Sequence, residues 1–135
     1  MLPDMTSPRW TSDLATGNPD IDREHQELIG IIDQLKAAAS SGDQKARLSH
    51  ALDQFRGHVM DHFPAEEAEM DAKGYPNLAK HRLAHGQLTD QVVELVQKDN
   101  NGDTVLFSEV DHLAQALYRH ILLDDKPFAA FLGTR

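Results

Sequence analysis

Histidine is the residue type that sets the question for this chain. Eight occur in 135 residues, at positions 25, 50, 58, 62, 81, 85, 112 and 120. The neutral imidazole is the commonest metal-binding side chain. His81 and His85 stand four residues apart, and so do His62 and Glu66. That spacing puts two side chains on one helical face, where they can converge on one ion or reach neighbouring ions. Cysteine is absent. Disulfides, thiolate zinc sites, iron–sulfur clusters and cysteine nucleophiles are therefore excluded together. What remains is metal chemistry with nitrogen and oxygen donors.

The elements that must position these donors are helices. Residues 1–19 carry Pro3, Pro8, Gly17 and Pro19 and read as an extended N-terminal arm, anchored by Trp10 and Leu14. Asp20 or Asp22 then caps a helix to about Ser40, with Ile21, Leu28, Ile32 and Leu35 on one face. A second helix spans about Gln44 to Lys73 on a stripe of Leu48, Leu52, Phe55 and Val59. Pro64 lies inside it and removes a backbone donor, so a kink or an early end is expected there. Gly74-Tyr75-Pro76 breaks the chain. A third helix runs from about Asn77 to Lys98, with Leu78, Leu88, Val92 and Leu95 inward. A fourth runs from about Thr104 to Asp124, with Leu106, Val110, Leu113 and Leu117 inward, and Pro127 stops it from simply continuing. Phe128 to Leu132 is a short apolar tail. The whole reads as one all-α domain over 1–135, with an up-down-up-down four-helix bundle and its tail over 20–132.

Each apolar stripe, extended by one turn, arrives at a donor. Three residues before Leu28 is His25, and Val59 leads on to His62 and Glu66. His81 and His85 lie between Leu78 and Leu88, and His120 follows Leu117 by three. A single inward histidine is most often a hydrogen-bonded core residue. Four helices each sending one to the axis is a different matter. A buried polar group without a partner costs about 1–3 kcal/mol, so five imidazoles and a carboxylate in one small core need something to bind. His58 shares a spacing of four with His62, but Val59 holds the stripe beside it, so His58 reads as peripheral. His50 and His112 fall off the stripe and read as solvated.

These residues resemble the hemerythrin family in its single-domain bacterial form, and the resemblance covers nearly the whole chain. It is carried by Trp10, Gly17-Asn18, Ile21-Asp22-Arg23-Glu24-His25 and His62-Phe63-Pro64-Ala65-Glu66-Glu67 with Met70. Tyr75-Pro76, His81 with His85, and His120-Ile121 followed by Asp125 complete it. The resemblance implies two non-haem iron ions bridged by oxide or hydroxide. His81, His85 and His120 would bind one iron and His25 and His62 the other, with Glu66 and Asp125 bridging. The first iron would then have six donors and the second five, leaving one position for dioxygen. Helical spacing alone favours Asp124 over Asp125 as the bridge, because five residues fall about 140° off in angle. The family pattern favours Asp125. Phe63, Leu117 and Ile121 fall beside donor positions and are candidates for an apolar wall around the oxygen pocket. The family often has tryptophan four residues before the last histidine; Ala116 stands there in this chain, which implies a roomier pocket.

The expected function is reversible dioxygen binding, as carrier, store or sensor, and not enzymatic turnover. Two ferrous ions with two carboxylates and one hydroxide leave a net charge near +1, tolerable in a closed bundle. The alternative is a di-iron enzyme acting on peroxide or nitric oxide. A regulatory bundle with another metal or none is a third reading. Net charge is −9, from 13 Lys+Arg against 22 Asp+Glu. That balance argues against nucleic acid or an anionic membrane as partner. No apolar run approaches the roughly 20 residues needed to span a bilayer, and Met1 to Met5 has no signal-peptide character. A cytoplasmic protein is expected, a monomer is favoured, and a redox or protein partner is left open.

Overall fold

The computed structural model describes residues 10–41 and 45–133. Four helices form the body: α1 Pro19–Ser41, α2 Lys45–Lys73, α3 Leu78–Asn100 and α4 Phe107–His120. A π-helical turn over Ile121–Asp125 carries α4 into a last helix, α5 Lys126–Gly133. No strand occurs among the described residues. Helix α1 packs on α2 and α4, and α3 packs on α2 and α4. The body is therefore a closed ring of four antiparallel helices, as the sequence predicts.

Why the bundle is antiparallel can be read from its burial. The buried apolar residues fall into two clusters. One holds Leu28, Val59, Phe63, Leu88 and Leu117 among others. The second is smaller and holds Ile21, Met70, Tyr75 and Phe128. Along α1 the order is Ile21, His25, Leu28; along α2 it is Val59, His62 with Glu66, Met70. The order reverses again in α3 and once more in α4. Each helix thus runs from one apolar cluster toward the other through a polar layer that contains the donors, and α4 reaches the second cluster by way of the π turn and α5. Burying a Leu, Ile or Phe side chain is worth roughly 1.5–3 kcal/mol, so the two clusters hold the polar layer in place from both ends.

Several boundaries differ from expectation, each for a local reason. The α1 cap is Asn18, whose Oδ1 accepts the backbone N–H of Asp20 at 3.0 Å and of Ile21 at 3.1 Å. Pro19 then takes the first helical position, where its missing N–H costs nothing. Asp22 accepts instead from Thr16, at 2.9 Å from the backbone and 2.8 Å from the hydroxyl. The arm is not wholly extended: Ser12–Leu14 form a 3-10 turn, and Gly17 at φ +89 turns the chain into α1. Leu14 is buried and Trp10 packs on the main cluster, as anchors should. Pro3 and Pro8, the Gly42-Asp43 break and Gln44 lie outside the described residues.

Helix α2 runs through Pro64 without ending. Pro64 is on the exposed face, so the carbonyl it leaves unpaired is open to water. Helix α4 starts at Phe107, later than the spacing suggests, because Glu109 accepts the N–H of Leu106 at 2.9 Å. Leu106 is consequently 53% exposed and not inward, and Val105 is buried in its stead. Pro127 does not halt the chain. It sits in the first turn of α5, where proline is tolerated. At the far end from the donor layer, two ion pairs bind helix to helix: buried Lys36 with Asp111 at 2.9 Å, and Lys45 with buried Asp99, which Ser49 also contacts at 2.6 Å.

Candidate metal centre

The seven residues singled out from the sequence come together. His25, His62, Glu66, His81, His85, His120 and Asp125 are all buried. They form two overlapping groups of converging atoms. Glu66, His81, His85, His120 and Asp125 make one; His25, His62 and Glu66 make the other.

The two carboxylates lie between the groups. Glu66 Oε1 is 2.9 Å from His81 Nε2 and 3.0 Å from His85 Nε2, while its Oε2 faces His62 Nε2 at 3.8 Å. Asp125 Oδ1 is 3.0 Å from His81 Nε2 and 3.2 Å from His120 Nε2, while its Oδ2 lies 2.8 Å from His25 Nε2. Each carboxylate turns one oxygen toward each group. A bridging carboxylate requires that arrangement.

The π turn explains how Asp125 arrives there. Its backbone bond from Lys126 N–H reaches back five residues to Ile121 carbonyl. A π turn takes in one extra residue, so the fifth residue after His120, not the fourth, comes round beneath its Nε2. Asp124 takes the outer side, with Oδ2 2.9 Å from His120 Nδ1. Helical spacing favoured Asp124 and the family pattern Asp125; the π turn brings Asp125 to the donors.

Whether these residues fit a metal is answered by their hydrogen bonding. His25 Nε2, His85 Nε2, His120 Nε2, Glu66 Oε2 and Asp125 Oδ1 are buried with no hydrogen-bond partner. Several of them lie about 3 Å from one another, yet misaligned for a hydrogen bond. Buried polar groups normally have a partner, and atoms that converge without bonding point at a shared third body. Imidazole nitrogens with carboxylate oxygens suit a divalent transition metal. The donors fit a pair of such ions.

A surrounding layer was not foreseen from the sequence. His62 Nδ1 contacts Glu24, His85 Nδ1 lies 2.7 Å from Glu67 Oε2, and Asp124 holds His120. In each case the outer nitrogen donates to a carboxylate, which fixes the tautomer and turns Nε2 inward. The faint signals were an acid beside His25, a second acid after Glu66, and an acid four after His120. Phe63 stacks on the His85 ring at 3.9 Å and 2°, and its ring lies 5.8 Å from that of His62 and 6.0 Å from that of His120. Leu117 and Ile121 are buried in the main cluster, and Ala116 packs half-buried against it. His58 is peripheral, its ring 6.1 Å from that of His62; His50 and His112 are exposed. A Glu67→Ala substitution is expected to weaken metal affinity about 10- to 100-fold with the fold retained. Chelator competition would measure it, and an unchanged affinity would deny Glu67 an orienting role.

Charge reinforces the geometry. Burial by itself would lower the His81 pKa, but Asp125 and Glu66 outweigh it and push it up to about 9. His120 is likewise opposed by burial, yet Asp125 and Asp124 push it up to about 10. Burial would raise the Asp125 carboxyl; His120, His25 and His81 hold it well below the usual carboxylate range. Glu66 is opposed by burial and by Asp125, and His81 and His85 still hold it low. In the metal-free protein these raised values let His81 and His120 supply part of the positive charge between the carboxylates.

Comparison with known proteins gives the same reading from a different direction. Residues 16–132 match the hemerythrin HHE cation binding domain. The chain is 30% identical over 120 residues to a bacteriohemerythrin of Stenotrophomonas maltophilia, covering 89% of this chain and 78% of that protein. It is 26% identical over 126 residues to a bacteriohemerythrin of Methylococcus capsulatus, covering 92% and 95%. A wild-type hemerythrin crystal structure superposes with a TM-score of 0.84 at 26% identity, over 91% of this chain and 95% of that one. No described helix is long and apolar enough to cross a membrane. With its donors, its sequence and its backbone in agreement, this chain belongs to the hemerythrin family.

Proposed function

We propose that this protein binds dioxygen reversibly at a pair of non-haem iron ions and does not turn over a substrate. The observation that carries the reading is the unequal division of donors around two shared carboxylates. His81, His85 and His120 serve one side; only His25 and His62 serve the other. With Glu66, Asp125 and one oxide or hydroxide shared between two irons, the His81 side would have six donors and the His25 side five, which would leave one position for dioxygen. When bound, the iron pair supplies two electrons to dioxygen and recovers them on release.

The chain's own residues do the rest. Glu24, Glu67 and Asp124 hold three imidazoles in orientation, so that the donors need not reorganise as charge moves. Phe63 lies flat on His85 and, with Leu117 and Ile121, keeps water from that side. Exclusion of water and protons favours release of intact dioxygen over loss of its reduced form. Neutral imidazoles outnumber carboxylates at the centre, and fewer anions stabilise high-valent iron less. That favours binding over oxidative catalysis. Whether the protein carries, stores or senses oxygen would depend on a partner.

Ala116 marks the departure from the family pattern. Ala116→Trp is expected to slow spontaneous oxidation of the air-exposed ferrous protein to its ferric form. An unchanged rate would remove Ala116 from the oxygen pocket. The proposed function itself is tested by an oxygen electrode with the reduced, iron-loaded protein. Uptake should stop near one dioxygen per two irons and reverse on lowering the oxygen pressure. Sustained consumption of dioxygen, peroxide or nitric oxide would instead favour a di-iron enzyme.

A further inference from the structure

A cavity of about 150 Å³ opens between α1 and α2 and reaches the donors from outside. It is lined by Asn18, Asp20, Glu24, His62, Glu66 and Glu69 among others. Asp20 and Glu69 are exposed at its rim. His62 and Glu66 form its floor and are the two most exposed of the seven donors, at 8% and 6%. Glu66 Oε2, which faces His62 Nε2 at 3.8 Å, is buried and has no hydrogen-bond partner. Phe63 does not line this cavity; its ring covers His85 by stacking on it.

The lining decides what can use the opening. Dioxygen is apolar and gains nothing from carboxylates. Anions are repelled. A hard or borderline divalent cation exchanges water for carboxylate oxygens readily, and walls of one charge sign concentrate it. Arg23 pairs with Asp20 at 3.1 Å and offsets part of the rim charge; Glu24, although it also contacts His62 Nδ1, and Glu69 add their carboxylates to the lining.

We propose that this cavity is the route by which ferrous iron reaches the centre, drawn by Asp20, Glu24 and Glu69 and met first by Glu66 and His62. The inference rests on the iron-binding reading above. It has a kinetic consequence: the side served by His25 and His62 fills from solvent, and iron for the other side must pass across Glu66. The rim carboxylates guide the ion and do not hold it at the end.

The test is anaerobic loading of metal-free full-length protein with ferrous iron, sampled by timed quenching into a chromogenic ferrous chelator. The double variant Asp20→Asn with Glu69→Gln should load roughly tenfold more slowly at low ionic strength, the lower end of electrostatic steering. Its deficit should shrink as salt rises, because the Debye length falls from about 30 Å at 0.01 M to about 10 Å at 0.1 M. Final content should stay at two irons per chain. A control with the same charge change on exposed positions elsewhere, Asp53→Asn with Glu94→Gln, should load as the parent does. If the rim variant loads at the parental rate, or the control slows equally, the proposed route is overturned while the iron site stands. If the rim variant ends below two irons, these residues are holding groups and the route is again wrong. If the parent itself takes up no iron, the iron-binding reading fails, a result distinct from the others.

Discussion

An Asp125→Ala protein is expected to retain at most one iron per chain and to lose reversible oxygen binding altogether, whereas Asp124→Ala should still hold two. The two aspartates are neighbours, so a composition argument cannot separate them. Position does. Asp125 has one oxygen 3.0 Å from His81 Nε2 and the other 2.8 Å from His25 Nε2, and removing it unties both halves at once. In the metal-free protein its removal also strips buried His81 and His120 of a counter-charge, and uncompensated buried charge is costly. Asp124 meets the outer nitrogen of His120 and lies outside the two converging donor groups. Its loss should loosen one ligand, weakening affinity about 10- to 100-fold. Iron content after gel filtration measures both. Equal iron loss in the two variants would contradict the assignment of Asp125 to the bridge.

Removing the iron should cost a large part of the stability, and the cost should grow with pH. A ligand at 1,000 times its dissociation constant stabilises the folded state by about 4 kcal/mol. For a chain of this length that corresponds to roughly 10–15 °C in Tm. The sign of the pH dependence follows from the buried groups. In the metal-free protein His81 and His120 titrate near 9 and 10, above their ordinary 6.5. Their contribution is complete below about 6.5 and is lost as pH rises through 9 to 10. Glu66 and Asp125 titrate below their ordinary 4.5 and 3.8. Their contribution is present above those values and is lost as pH falls through the lowered ones. The metal-free protein is therefore favoured between about 4.5 and 6.5. Iron must displace the histidine protons, so its binding strengthens with pH. Melting temperatures of loaded and stripped protein should diverge between pH 6 and pH 8.5. Convergence over that range would mean that the cation does not take the place of those protons.

How far the sequence carries this account depends on which residues one asks about. His25, His62, Glu66, His81, His85 and His120 were legible because each continues an apolar stripe at helical spacing, and regular helices keep that promise. Asp125 was not legible by spacing. The rule assumes an α-helix, and a local π turn breaks it; only the family resemblance pointed to the right residue. Glu24 and Glu67 escaped because they lie off the stripes, and their roles depend on which neighbouring helix they face. Leu106 misled because an apolar residue at a helix start can serve as the capping position and stay in water. Asn18 was passed over because two acids just after it offer equally good caps, and the choice is made by Pro19 taking the first turn. The division of the core into two apolar clusters needed the packed bundle. The stripes run on past the donors on both sides, and nothing in one helix says where another crosses.

Reversible oxygen binding at this centre is read from the optical spectrum of the reduced, iron-loaded protein. On admitting oxygen, a charge-transfer band should rise in the near-ultraviolet and visible, and on removing oxygen it should vanish, cycle after cycle, with two irons retained. A spectrum that moves once to the ferric form and never returns would contradict reversible binding at this centre.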